Sequence, residues 1–169
     1  MKTDLKIYSV ETDEDIEIVK ELFVEYADYL KDVLSEYLTL PWFVDYLKGF
    51  EKEVANMPGE YAPPTGCVLL AKYKDKIAGC VALRKLSNDI CKGKRLYVRP
   101  EFRGLKIGRK LMESIIAEAR RIGYSAMQGD TVPSMQAAQV LHASLGFKEI
   151  NPNHCDPIKE AKFIELKLA

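Results

Sequence analysis

The strongest constraint on the fold is a change of periodicity between residues 89 and 122. The segment DICKGKRLYV (89–98) is typical of an extended strand, and a turn rich in glycine and basic residues follows it. Beyond the turn, apolar residues recur every three or four positions, at Ile107, Leu111, Ile115, Ala119 and Ile122. That spacing places one apolar stripe along a helix. The sequence therefore predicts a strand, a glycine turn and an amphipathic helix in direct succession.

The turn is strongly basic, although the whole chain has a formal net charge of zero. Eight of the nineteen residues in the segment 92–110 are Lys or Arg, and Glu101 is its single acidic residue. The turn also lies at the N-terminus of the predicted helix, where unpaired N–H groups and the helix dipole attract anions. Glycine permits positive φ and lets the backbone approach a ligand closely. These properties predict a site for a phosphate-bearing ligand.

The segment LYVRPEFRGLKIGRKLM (96–112) resembles motif A of the GNAT (Gcn5-related N-acetyltransferase) superfamily. In that motif, an Arg/Gln-x-x-Gly-x-Gly/Ala turn binds the pyrophosphate of acetyl-coenzyme A. Arg103, Gly104 and Gly108 match the pattern, whereas Lys106 stands where the middle glycine usually is. Lysine there adds a cation beside the phosphates.

A second segment, MQAAQVLHASLGF (135–147), resembles the family's motif B, Asn-x-x-Ala-x-x-Leu-Tyr-x-x-x-Gly-Phe. Met135 replaces the Asn and His142 replaces the Tyr, while four positions match: Ala138, Leu141, Gly146 and Phe147. The two motifs occur in the family's order, about 30 residues apart, with a strand-like segment between them. The pair is a much more specific signal than either motif alone.

The resemblance implies an α/β (α+β mixed sheet) fold in a single domain spanning residues 1–169. LKIYSV is typical of a first strand, Thr12 of a helix N-cap, and Pro41 of the start of a second helix. Two strand-like runs flank a hairpin turn at 74–76, and Ser134 is expected to cap the motif B helix. The expected order is βααβββαβαββ, a central mixed sheet splayed at the cofactor site with helices on both faces.

The composition, 47% hydrophobic and 30% charged residues in 169, is typical of one globular domain. The start MKTDLKIYSV lacks a signal-peptide pattern and no apolar run could span a bilayer, so we expect a cytoplasmic protein. We expect it to bind neither membrane nor nucleic acid, and a homodimer is left open. Cys67, Cys80 and Cys91 fall in strand-like stretches and are expected to be buried. His154 and Cys155 have no nearby ligand partners, so no metal site is expected.

By the resemblance, acetyl-CoA is the acyl donor and the basic turn holds its pyrophosphate. The backbone of residues 96–98 is expected to pair with the pantetheine amides as an added strand and to point an N–H at the thioester carbonyl. The expected cofactor site comprises Leu96, Tyr97, Val98, Arg103, Gly104, Leu105, Lys106, Ile107, Gly108 and Arg109.

The reaction needs two proton transfers, because an alkylamine has a pKa near ~10.4 and the leaving thiolate takes up a proton. In many relatives the Tyr of motif B is the acid, and His142, which stands there, can also donate. The alternative is that His142 only packs within its helix. No carboxylate matches the family's base, since residues 91–93 read Cys-Lys-Gly. Asp89, Asp130 and Glu60 are the candidates for the base, each alternatively a solvated residue at a turn or strand end.

The expected acceptor is a primary amine of a small molecule or peptide, and an acidic stretch near the N-terminus favours a cationic one. Ten acidic residues lie there: Glu11, Asp13, Glu14, Asp15, Glu17, Glu21, Glu25, Asp28, Asp32 and Glu36. In this family the first two helices cover the acceptor, so the charges could steer a cation to it. The alternative is a solvated helix face. Aromatic residues in the same region could line the site or fill the core: Tyr26, Tyr29, Tyr37, Trp42 and Tyr46.

These observations predict an N-acetyltransferase that moves an acetyl group from acetyl-CoA to an amine by direct attack in a ternary complex. One alternative is a coenzyme A-binding regulatory module with little or no turnover, which the departures at Lys106, Met135 and His142 would suit. A P-loop or Rossmann nucleotide-binding domain fits less well, because the chain lacks GxxxxGK[ST] and repeated βαβ units.

Overall fold

The predicted order of strands and helices is confirmed by a computed structural model, which describes residues 4–151 and 161–169. The elements are β1 (Leu5–Ser9), α1 (Asp13–Val33), α2 (Pro41–Ala55), β2 (Cys67–Tyr73), β3 (Lys76–Lys85), β4 (Ile90–Val98), α3 (Ile107–Ile122), β5 (Ala126–Thr131), α4 (Gln136–Ser144), β6 (Lys148–Ile150) and β7 (Lys162–Lys167). Short 3₁₀ turns occur at Ser35–Tyr37, Gly59–Tyr61 and Pro100–Phe102. The order βααβββαβαββ therefore holds for the described residues.

The strands form one mixed sheet in the order β1-β2-β3-β4-β5-β7-β6. Within the described residues its one parallel pair, β4 with β5, is short: Ile90, Cys91 and Lys92 face Ala126, Met127 and Gln128. Beyond Lys92 the two strands have no further paired residues in the described structure, although β4 continues to Val98 and β5 to Thr131. The predicted splay in the middle of the sheet is therefore present.

Helices cover both faces of the sheet, each with its own apolar core. Along β3, Val81 and Leu83 pack in the core that contains α3, whereas Cys80 and Ala82 pack in the core that contains α1 and α2. This alternation follows from the two-residue period of a strand that is buried on both faces. The sheet is the middle layer of three, and the gap between β4 and β5 lies inside it.

Local signals fix the starts of α1 and α2. Thr12 accepts a hydrogen bond from the backbone N–H of Asp15 at 3.1 Å, and the Asp15 carboxylate accepts one from the backbone N–H of Thr12 at 3.3 Å, a complete capping box. Pro41 is the first residue of α2, as predicted. The expected cap at Ser134 is wrong, because α4 begins at Gln136 and its N-cap residue, Met135, makes no side-chain capping bond.

The hairpin between β2 and β3 is tighter than predicted, with Lys76 already in β3. Lys74 and Asp75 make the turn and have positive φ, 48° and 65°, which suits a two-residue turn between twisted strands. The expectation that Cys67, Cys80 and Cys91 are buried is confirmed. His154 and Cys155 lie outside the described residues. No helix within 4–151 and 161–169 has the length and apolar character to cross a membrane.

Candidate functional site

Two cavities lie along β4 where β5 departs from it. The larger, the splay cavity, has a volume of about 440 Å³ and lies between β4, β5, α4 and the apolar faces of α1 and α2. The smaller, the turn cavity, has a volume of about 380 Å³ and runs from the end of β4 past Gly108 to the start of α4. Leu96, Met135 and Ala138 line both cavities, so the two meet at β4.

The glycine turn presents a row of free backbone donors. The N–H groups of residues 104–109 donate to no described residue, and the first helical bond of α3 runs from Lys110 N–H to the Lys106 carbonyl oxygen. Gly104 has φ +83° and Lys106 has φ +61°, both in the left-handed region. Lys106 thus takes the conformation that glycine favours, as N-cap of α3. The turn has the donors and the helix terminus that an anion requires.

The side chains of the turn play different parts. Arg103 donates from Nε to the Val98 carbonyl oxygen at 3.0 Å, and its guanidinium lies 5.2 Å from the Tyr29 ring centroid. Leu105 is exposed and Ile107 is buried in the core, so these two offer only their backbone to a ligand. Arg109 donates to the Glu113 carboxylate at 3.1 Å and to the Ser144 hydroxyl at 2.8 Å, and its side chain points toward α4.

The end of β4 has one open edge. On one side Tyr97 pairs with Cys80 and Val98 pairs with Gly79 in β3. On the other side β5 has already diverged, so residues 96–98 have no strand partner there in the described structure. All three of these residues line the turn cavity. An extended ligand with amide groups can add to this edge as a strand.

His142 lies on α4 and lines the splay cavity, with its ring centroid 5.4 Å from that of Phe147. Its Nδ1 atom is buried and has no hydrogen-bond partner in the described part of the chain. Burial lowers the pKa of His142 below its ordinary value, so the imidazole is mostly neutral at neutral pH. The site thus contains an unpaired imidazole where the motif usually has tyrosine.

Asp130 and Asp89, the two carboxylates predicted to be catalytic, occupy different places. Asp130 is on β5, lines the splay cavity, and accepts a hydrogen bond from Lys92 Nζ at 3.1 Å. Asp89 is exposed in the turn before β4, where its backbone carbonyl accepts from Ser125, and it lines neither cavity. Glu60 likewise lines neither cavity and lies 3.7 Å from Arg84. Only Asp130 is therefore brought to the site.

A buried ion pair that was not predicted from the sequence lies at the wall of the splay cavity. Arg95, 7% exposed, donates from Nε to Glu53 at 2.8 Å and from a terminal nitrogen to the Tyr46 hydroxyl at 2.9 Å. Its guanidinium lies 4.1 Å from the Phe50 ring centroid. Glu53 also accepts a hydrogen bond from the Tyr61 hydroxyl at 2.7 Å. A Lys-Gly-Lys-Arg run inside an otherwise apolar strand was the available signal, because buried charges need partners.

Two lysines of β4 also line the splay cavity. Lys92 pairs with Asp130, whereas the nearest carboxylate oxygen to Lys94 Nζ is one of Glu53 at 3.9 Å. Burial, reinforced by the charge of Arg95 and only partly offset by Glu53, lowers the pKa of Lys94 to about 8. The floor of the cavity is therefore basic.

The acidic stretch at 11–36 does not face the site, which corrects the argument for a cationic acceptor. None of its ten acidic residues lines either cavity. Asp15 caps α1, and Glu25 binds Arg99 across the surface at 2.8 Å. The splay cavity is lined here by apolar and aromatic side chains, of α1 and its C-terminal end (Tyr26, Leu30 and Leu34) and of α2 (Trp42, Phe43 and Tyr46). The acidic stretch is therefore a solvated helix face, which was the alternative to a role in attracting a cationic acceptor.

Known proteins with similar sequence or fold define the class. Residues 27–147 match the model of the Acetyltransferase (GNAT) family. An uncharacterised N-acetyltransferase of Schizosaccharomyces pombe is 36% identical over 144 residues, which cover 84% of this chain and 88% of that protein. A Streptococcus agalactiae acetyltransferase has a similar fold, with a TM-score of 0.74 and 17% identity over 98% of this chain and 99% of that one. So does the PaiA N-acetyltransferase of Thermoplasma acidophilum in complex with coenzyme A, with a TM-score of 0.72, 17% identity and 99% of both chains covered.

The family match and the Schizosaccharomyces pombe relative thus define the class, that of acetyl-CoA-dependent acyltransferases. This chain belongs to the GNAT family of acetyltransferases. Within the described residues, no group of three His, Cys, Asp or Glu side chains is arranged to hold a metal ion.

Proposed function

We propose that this protein transfers an acetyl group from acetyl-CoA to a primary amine by direct attack in a ternary complex. The observation that carries the proposal is the junction of the two cavities at Leu96, Met135 and Ala138. The turn cavity ends at the free N–H groups of the turn, and the splay cavity lies against α1 and α2. A donor in the first cavity and an acceptor in the second would meet at β4 without solvent between them.

The residues of the turn fit a diphosphate and those of β4 fit an amide-bearing arm. The free N–H groups of residues 104–109 would bind the pyrophosphate, with Arg103 and Lys106 as neighbouring cations. The open edge of residues 96–98 would pair with the amides and aim an N–H at the thioester carbonyl. Such a donor contributes about 3 kcal/mol to oxyanion stabilisation in other enzymes. Acetyl-CoA supplies the acetyl group in activated form.

Direct attack is favoured over an acyl-cysteine route by the environment of the described thiols. Burial raises the pKa of Cys80 and of Cys91 to about 12, and burial also raises that of Cys67. A thiol with so high a pKa supplies almost no thiolate at neutral pH. None of these three cysteines lines either cavity.

For the proton transfers, His142 is the proposed general acid and Asp130 the proposed base. Both line the splay cavity, and the imidazolium form of His142, which is the minor form at neutral pH because burial lowers its pKa, can give its proton to the leaving thiolate. Asp130 is half exposed, so it could act through a water molecule. Asp89 has no part in this proposal, because it lines neither cavity.

The proposal is tested by thiol release from acetyl-CoA with a panel of polyamines, aminoglycosides, amino acids and peptides with free N-termini. We expect at least one amine to raise release well above hydrolysis, with an acetylated amine found by mass spectrometry. Binding of acetyl-CoA without release by any amine would instead favour the regulatory module.

Lys106→Gly is expected to weaken acetyl-CoA binding while leaving the protein as stable or more stable. Glycine relieves left-handed backbone strain of about 1 kcal/mol but removes a cation beside the phosphates. Titration of acetyl-CoA at low and high salt should show a wild-type advantage that shrinks with salt. Tighter, salt-insensitive binding by Lys106→Gly would show that backbone geometry decides the affinity.

His142→Phe is expected to lower kcat about tenfold with little change in acetyl-CoA affinity, since an acid acts mainly in the transition state. The fold should tolerate it, because His142 Nδ1 has no described partner and phenylalanine keeps the contact with Phe147. His142→Tyr should restore part of the rate. It should also move the basic limb of the pH profile of kcat to higher pH, because tyrosine keeps its proton to a higher pH than this histidine. Steady-state kinetics with one acceptor measures both. Wild-type kcat in His142→Phe would return the residue to a packing role.

A further inference from the structure

The lining of the splay cavity has an unequal balance of charge. Three cationic residues of β4 reach it, Lys92, Lys94 and Arg95, against one carboxylate, that of Asp130. The Asp130 carboxylate forms an ion pair with Lys92 at 3.1 Å. Glu53, which does not line the cavity, forms an ion pair with Arg95 at 2.8 Å. One positive charge is therefore left over among the described residues around this space.

That charge is on Lys94. Its side chain is 20% exposed, and its ammonium donates no hydrogen bond to any described residue. The Glu53 oxygen nearest to it, at 3.9 Å, already accepts a short hydrogen bond from Tyr61. A largely buried ammonium that donates no hydrogen bond to its nearest carboxylate is costly to keep charged, so it attracts an anion from solution.

We propose that the acceptor carries a carboxylate as well as its amine, and that Lys94 binds this carboxylate in the splay cavity. The inference rests on the proposed transferase function. The apolar wall from α1 and α2, including Leu30 and Trp42, suits the hydrocarbon or aromatic part of the same molecule. A free amino acid with an apolar side chain combines these three groups.

The lowered pKa of Lys94, about 8, agrees with this role, because a bound carboxylate would restore the charged form. Among the described residues, the charges that act most strongly on this ammonium are those of the cations Arg95, Arg84 and Lys92 and of the anion Glu53. An anion entering the cavity relieves this repulsion, whereas a second cation on the acceptor would add to it.

The experiment compares acceptors that differ only in the carboxylate: phenylalanine with 2-phenylethylamine, and leucine with 3-methylbutylamine. For wild type we expect kcat/KM to be about tenfold or more higher for the amino acid of each pair, as for a charge-assisted hydrogen bond. Lys94→Met should remove that advantage, so that the ratio of kcat/KM between the two members of each pair falls toward one. Lys94→Arg should restore part of it, and Lys85→Met, on the exposed end of β3, should behave as wild type.

A binding measurement separates this inference from the proposed function. Thermal stabilisation by N-acetylphenylalanine and by N-(2-phenylethyl)acetamide needs no turnover. Stabilisation by N-acetylphenylalanine but not by N-(2-phenylethyl)acetamide, with loss of that effect in Lys94→Met, supports the anion site. This result would stand even if no acceptor released thiol, and in that case only the transferase proposal would fail. Equal binding of both compounds, binding of neither, or a preference for polyamines would overturn the inference. So would an equal loss on both members of a pair in Lys94→Met.

Discussion

Gly104→Glu is expected to weaken acetyl-CoA binding about a hundredfold, through backbone strain and charge repulsion together. Gly104 has φ +83°, which a side chain adopts only with strain, and the new carboxylate would lie beside the free N–H groups that are proposed to bind pyrophosphate. Arg103→Ala, which removes a cation and its bond to the Val98 carbonyl, should cost about tenfold. Both losses appear as a smaller rise in Tm on adding acetyl-CoA.

Two controls make the result specific. Gly104→Ala introduces the strain without the charge and should retain more of the stabilisation than Gly104→Glu. Arg121→Ala, at the far end of α3 in an exposed pair with Glu118, should respond to acetyl-CoA as wild type does. Wild-type stabilisation of both Gly104→Glu and Arg103→Ala would remove the turn from the site, and equal stabilisation by ATP or NAD would point to a different ligand.

Glu53→Gln should lower the free energy of unfolding by about 3 kcal/mol, because it leaves the buried Arg95 guanidinium without its counterion. In a chain of this size that loss lowers Tm by roughly 10 °C. The control is Glu51→Gln, the same chemical change two residues away on the exposed face of α2, which should be nearly neutral. Urea unfolding of both variants measures the difference. A loss no greater than that of Glu51→Gln would mean that Arg95 finds solvent or another partner.

The cost of Glu53→Gln should also depend on pH. Burial alone raises the pKa of Glu53, but the hydrogen bond and charge of Arg95 outweigh it and hold the pKa below the ordinary value of 4.5. Because the folded pKa is lowered, the stability from ionised Glu53 is complete above the unfolded pKa and is lost as pH falls through the folded one. The difference in the free energy of unfolding between wild type and Glu53→Gln should therefore be largest at neutral pH and should disappear in acid. A gap that stays constant to low pH would contradict the ion-pair account.

The order of elements could be predicted because its signals are local. The Thr12 cap, Pro41 at a helix start and the change of period after β4 each depend on a few neighbouring residues. The glycine turn was predictable for the same reason. Ser134 failed as a cap because α4 starts at Gln136, which makes Met135 the N-cap residue.

The acceptor side was harder to predict because it depends on contacts between distant segments. Glu53 meets Arg95 across 42 positions, and nothing in either segment names the other. The acidic stretch misled because composition does not say which face of a helix meets a ligand. Tyr26, Leu30 and Leu34, four residues apart, mark the face of α1 and its C-terminal cap that reaches the cavity, and that spacing was visible in the sequence.

The gap between β4 and β5 also bears on how the chain avoids unwanted self-association. Unpaired strand edges are hazards, since they offer a template to strands of other molecules. Here the open edge at residues 96–98 lies in the middle of a seven-stranded sheet, between α3 on one face and α1 and α2 on the other. Helices cover both faces of the sheet around this edge, and the turn cavity, which residues 96–98 line, opens onto it. The unpaired strand edge is therefore accessible to a narrow ligand but sheltered from the strands of other protein molecules.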